Sequence, residues 1–165
     1  MKAKRIKAFL IDYLVISMYL VILLGINLLI NPSVFEGGLQ ASQLQTHLIA
    51  FVSSVLPVVL VFSLLEARYK KTLGAHVMKI TVQFDDNPYR RSLLRNALKF
   101  LPWQLGHTSA IYAIYSGADL VFYLITAFNA LLMAVYLIGF FWRPPFLPDH
   151  IAKAEWKETE KPNTV

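Results

Sequence analysis

KRIKAFLIDYLV, residues 4–15, joins a basic cluster to an apolar run and places one carboxylate, Asp12, inside that run. Read outward, the run covers residues 9–30, 22 positions with Asp12 as the sole charge. At ~1.5 Å per residue a helix of that length measures about 33 Å, enough to cross a hydrocarbon core. A secretory signal has a shorter apolar stretch of about 7–15 residues, closed by a small-x-small site. This run instead continues to Ile30 and meets NPSVFEGG, so residues 1–30 are expected to persist as a membrane helix.

The rest of the chain points the same way. Of its 165 residues 56% are hydrophobic, above the roughly 45–50% of soluble domains, and its mean hydropathy is +0.51. Two more apolar segments lie at 48–65 and 120–141. A fourth, 94–115, is ambiguous because it holds Asn96, Lys99, Pro102, Gln104 and His107. The sixteen Lys and Arg decide the count: four fall in 1–7, eight in 68–99 and four in 143–165. Basic flanks stay cytoplasmic. Four spans put every one of them inside, together with both termini, whereas three would put Arg143, Lys153, Lys157 and Lys161 outside. The expected architecture is therefore an all-α protein with four transmembrane helices at 9–30, 48–65, 94–115 and 120–141. The pI near 9.6 reflects this topology and an attraction to anionic membrane lipids, not nucleic acid.

The cytoplasmic loop, 66–93, carries structure of its own. In HVMKITVQF, residues 76–84, Met78, Ile80, Val82 and Phe84 alternate with Val77, Lys79, Thr81 and Gln83. A period of two ended by DDNP predicts a short hairpin or edge strand between the second and third spans. RRSLLRNALKFL then starts a helix in which Arg91, Arg95 and Lys99 are expected to snorkel toward head groups. One domain over residues 1–156 is expected, followed by a flexible polar tail, 157–165.

Three features carry a resemblance: an arginine at the entrance of the first helix, an aspartate two turns later, and a second aspartate after the last span. Here they are Arg5 and Asp12 in RIKAFLID and Asp149 in RPPFLPDHIAKAEW. The TLG turn before the strand and the basic SLLRNALKFLP helix fit as well. The chain resembles the RDD family of small bacterial membrane proteins over nearly its whole length. It departs from the family at KK before Thr72 and at Ala75, and at Lys79, Lys153 and Ala154, where glycine or a Gly-Thr pair is usual. The resemblance implies a multi-pass protein of the bacterial cytoplasmic (inner) membrane. Some members are associated with cation/proton antiport.

Asp12 lies about one turn inside the helix entrance, where a charge costs less than the ~2.5–3.5 kcal/mol of the membrane centre. Arg5 shares its face two turns away, a long reach for a direct pair, and Arg95 or Asp149 can complete a cluster. That cluster reads as a lock between helix ends or as a transport site for Na⁺, K⁺ or H⁺. Asn96, Lys99, Trp103 and His107 recur every three or four residues, so His107 and Lys99 form a candidate proton relay or, equally, a bundle-facing stripe. Pro57 and Pro102 are expected to kink their helices. Glu66, ending the second span, is expected to be solvated; Asp119 suits a helix N-terminus, and Asn129 an interhelical hydrogen bond. The four histidines have no metal-ligand spacing, there is no cysteine, and no phosphate loop or nucleophile motif occurs. No cofactor, metal or enzymatic activity is expected. Two readings stand: a proton-coupled cation transporter, expected as a homo-oligomer, or a non-catalytic scaffold or accessory subunit with a membrane protein partner.

Overall fold

A computed structural model describes residues 1–30, 41–141 and 146–159. The expectations for NPSVFEGG, Arg143 and the last six residues lie outside them. The elements are α1 (Lys2–Ile30), α2 (Gln43–Ala50), a π-helical turn (Phe51–Val55), α3 (Leu56–Tyr69), α4 (Leu73–Val77), β1 (Ile80–Phe84), α5 (Pro88–Ser116), α6 (Leu120–Phe141), α7 (Leu147–Ile151) and β2 (Ala154–Glu158).

Three segments, Lys2–Leu29, the run Gln43–Val77 and Leu120–Phe141, are long and apolar enough to cross a membrane. Their exteriors agree: Leu10, Leu14, Val21, Leu124 and Leu131 are all exposed. A helix that is apolar all round belongs in lipid or in a large core, and water would not tolerate an exposed apolar surface of this extent. The ambiguous segment 94–115 is part of α5, a single helix of 29 residues, ~43 Å long. Ser92, Arg95 and Asn96 of this helix are buried, so the polarity that lowers its hydropathy faces the bundle.

The bundle core comprises Ile16 of α1, Val55 of the π turn, Val58, Val59 and Phe62 of α3, and Phe100 of α5, with Tyr19, Leu20 and Trp103 packed on it. Both prolines have a specific consequence. Pro57 has no N–H, so the Ser53 carbonyl loses its helical donor; the hydroxyl of Tyr19 on α1 donates to it. Pro102 takes the donor from Leu98 in the same way, and the hydroxyl of Tyr136 on α6 donates to that carbonyl at 2.8 Å. Backbone groups have no water to turn to inside a bilayer. Two tyrosines thus tie neighbouring helices to the carbonyls that the prolines release.

At the basic end the strand prediction holds in part. β1 begins at Ile80, not Val77, because Thr72 caps the short α4, its hydroxyl accepting from Ala75 N–H at 3.2 Å. Ile80 and Val82 point inward, fully buried. The partner is not local. Asn87 caps α5 by accepting from the N–H groups of Tyr89 and Arg90, so the chain after DDNP enters a helix and cannot fold back as a hairpin. The edge of β1 is taken by β2, antiparallel, with Val82 opposite Trp156 and Phe84 opposite Ala154. Of the tail expected to be flexible, Lys157 and Glu158 instead close this strand, and Trp156 packs near a small second core of Ala8, Ala75 and Ile80.

A charged clasp at the basic end

The residues singled out in the sequence converge where α1, α3, α4, α5, α7 and β2 meet. Asp149, 1% exposed, sits in the first turn of α7. Its Oδ1 accepts from Arg95 Nε at 2.7 Å. Its Oδ2 accepts from Arg5 Nη2 and, at 3.0 Å, from the Trp156 indole N–H. Arg95, 3% exposed, reaches the other way to Glu66, which is fully buried. Arg95 therefore does not snorkel, and Glu66 is not solvated. A guanidinium already flanked by two carboxylates gains more from them than from lipid head groups, and its fork lets it hold both. Glu66 Oε2 also accepts from Asn96 Nδ2 at 2.8 Å and lies 3.2 Å from the Ser92 hydroxyl. The indole ring of Trp156 lies beneath both guanidinium groups, 5.3 Å from Arg5 and 5.1 Å from Arg95.

Asp12 belongs to a neighbouring site. Its side chain is 4% exposed, and it makes no ion pair with Arg5. Oδ2 accepts from the Thr72 hydroxyl at 2.7 Å and Oδ1 from Gly74 N–H at 2.8 Å, so the acid of α1 fastens the start of α4. Gly74 is the residue that permits this approach, since a side-chain carbon there would collide with the Ala8 carbonyl. At the rim, Lys4 pairs with Glu158 at 2.8 Å, and its ammonium holds the Glu158 carboxyl below its usual range.

Lys99 and His107 stand apart from these bonds and from each other. The Lys99 ammonium lies over the rings of Phe9, Phe62 and Phe100 at 5.2–5.9 Å. His107 packs on Trp103, and its Nε2 is 3.5 Å from the Ser54 hydroxyl. Between the two lie the aromatic side chains of Phe100 and Trp103. Asp119 caps α6, accepting from Phe122 N–H at 3.0 Å, and this bond keeps its carboxyl below the usual range. Asn129 Oδ1 has no hydrogen-bond partner among the described residues. Arg5, Asp12, Lys99, Asn129 and Trp103 line one cavity of about 480 Å³ between α1, α5 and α6. Among the described residues, no three His, Cys, Asp or Glu side chains gather to hold a metal ion.

The family model for the RDD family matches residues 3–145. The chain belongs to the RDD family. The matched stretch contains Arg5, Asp12, Glu66 and Arg95 and stops short of Asp149 and β2. No curated protein and no solved structure matches the chain. Sequence reasoning missed Ser92, Thr72 as a ligand of Asp12, and Trp156. The TLG turn and the tryptophan inside an otherwise charged tail were the available signals.

Proposed function

We propose that this RDD protein is a four-span, non-catalytic module of the bacterial cytoplasmic membrane, with both termini in the cytoplasm and a charged cluster that clasps its helix ends together. One observation carries the reading: all six oxygens of Asp12, Glu66 and Asp149 are engaged by protein donors. Such carboxylates join elements, and a carried ion would have to share oxygens that protein donors already use. The basic residues at one end, and a fourth helix long enough to cross, support the topology. The lack of native cysteine makes it testable. In intact cells an impermeant maleimide should label Ala118→Cys, and it should label Glu155→Cys only after permeabilisation; a three-span chain would give the opposite pattern.

Proton-coupled cation antiport is the second reading, favoured by the reach of the cavity to Asp12. Inverted vesicles separate the two. If the clasp reading is right, added Na⁺, K⁺ or Li⁺ leaves an imposed pH gradient unchanged. A cation response of the wild type that Asp12→Asn abolishes at equal membrane abundance would establish transport instead.

A further inference from the structure

The cavity beside α1 contains a charge for which the clasp supplies no direct partner. Arg5 and Arg95 are bound to carboxylates, and the oxygens of Asp12, which also lines the cavity, are turned into Thr72 and Gly74. Lys99 makes no hydrogen bond or ion pair among the described residues; aromatic faces are its contacts. Ring faces stabilise an ammonium by less than its removal from water costs. An anion at Lys99 would make up that difference.

The shape of the site says what else the anion must carry. The same cavity is lined by Ile16 and Leu20 of α1, Met133 and Leu137 of α6, and Trp103 of α5, all apolar or aromatic. Its volume, about 480 Å³, falls within the ~300–1,000 Å³ of sites that enclose small ligands. The occupant is thus negative at one end and hydrocarbon along its length. Side chains on a helix lean toward its N-terminus, so the Lys99 ammonium is directed to the level of Arg95 and the membrane edge. Basic pockets between helices on the cytoplasmic side suit anionic head groups.

We propose that this cleft holds an anionic phospholipid, its phosphate on Lys99 and one acyl chain between α1 and α6. The placement of the head group rests on the topology proposed above, but binding in detergent does not. Failure here and failure of the cysteine labelling are therefore distinguishable.

The test uses the full chain in neutral detergent with dioleoyl phosphatidylglycerol or dioleoyl phosphatidylcholine, read by native mass spectrometry and by thermal shift. Phosphatidylglycerol should be retained and should raise Tm more than phosphatidylcholine. Lys99→Gln should weaken that retention roughly ten- to a hundredfold, the value of a charged hydrogen bond, and Lys99→Arg should preserve it. Met133→Trp, which fills the cleft while keeping the charge, should expel both lipids. Glycerol 3-phosphate alone should give no shift. Equal retention of the two lipids by the wild type would overturn the proposal, as would undiminished phosphatidylglycerol binding in Lys99→Gln or Met133→Trp. A full response to glycerol 3-phosphate, or a Met133→Trp effect on oligomeric mass in place of bound lipid, would do the same.

Discussion

Tyr136→Phe tests whether the prolines and tyrosines of this bundle act in pairs. The substitution removes one hydroxyl and keeps the ring, which stays packed on Phe146 at 5.2 Å. The Leu98 carbonyl, whose helical donor is missing at Pro102, then loses the 2.8 Å bond. An unsatisfied buried carbonyl costs about 1–3 kcal/mol in water-soluble proteins. Interhelical hydrogen bonds in membranes measure nearer 0.6 kcal/mol on average, with a maximum of about 1.7. A cost of about 1 kcal/mol is expected. The decisive arm is Pro102→Ala, because alanine restores an N–H within reach of Leu98. In that background Tyr136→Phe should cost almost nothing, giving a coupling of about 1 kcal/mol, clear of the ~0.3–0.5 kcal/mol scatter of independent sites. The assay is a double-mutant cycle by reversible denaturation in mixed micelles. Equal costs in the two backgrounds would refute the pairing, and the same cycle on Tyr19 and Pro57 provides an independent repeat.

Asp149→Ala leaves the part-buried Arg5 without its carboxylate and the buried Arg95 with Glu66 alone, and should cost up to about 3–5 kcal/mol; Glu66→Gln keeps the shape but turns one acceptor oxygen into an N–H donor against Arg95 or Asn96 and should also destabilise, whereas Lys4→Ala at the exposed rim should not change Tm measurably. Gly74→Ala forces a methyl against the Ala8 carbonyl and should destabilise by about 1–3 kcal/mol, with faster proteolysis between α3 and β1. Lys79 and Lys153 adopt φ of 55° and 52°, a left-handed backbone that costs an ordinary residue roughly 1–2 kcal/mol. Lys153→Gly and Lys79→Gly should each raise stability by up to about 1 kcal/mol in the same denaturation assay, and a loss would show that the lysine side chains matter more than the strain.

Hydropathy made α1, α3 and α6 legible because their apolar residues form long runs, most of them facing outward in α1 and α6. It obscured α5 for the opposite reason: Arg95 and Asn96 spend their polarity on Glu66, three helical turns of sequence cannot reveal that partner, and the segment reads as half a span. Glu66 misled in the same way. Followed by Ala67 and Arg68, it looks like a solvated helix end until α5 is laid beside it. The period of two in ITVQF identified β1 correctly, but strand pairing depends on a segment about seventy positions later. That segment offers only Ala154 and Trp156 as an inward face. Lys79 and Lys153, two of the three lysines at positive φ, were visible as departures from a glycine pattern, and the backbone supplies the reason glycine is usual there.

The acid in KRIKAFLIDYLV has a physical explanation that does not need an ion. A five-residue helix such as α4 leaves most of its N–H groups without helical partners, and it begins where α1 enters the apolar layer. One carboxylate serves both oxygens at once, taking Thr72 and Gly74, and the ammonium of Lys99 on the same cavity wall offsets its charge over a longer distance. The arrangement also constrains any transport cycle. A cation arriving through the cavity finds one hydrogen bond on each oxygen, and to take the carboxylate for itself it must displace bonds to a charged acceptor, each worth about 1.5–3 kcal/mol. Those donors cannot move singly: Thr72 caps α4 and Gly74 lies against Ala8, so release of Asp12 requires the whole turn to lift from α1. Thr72→Val, which removes one donor and leaves the turn in contact, would therefore ease ion entry if Asp12 were a carrier. If Asp12 is a fastener, it would only loosen the turn, and a single measurement of turn protection by hydrogen exchange alongside vesicle pH distinguishes the two.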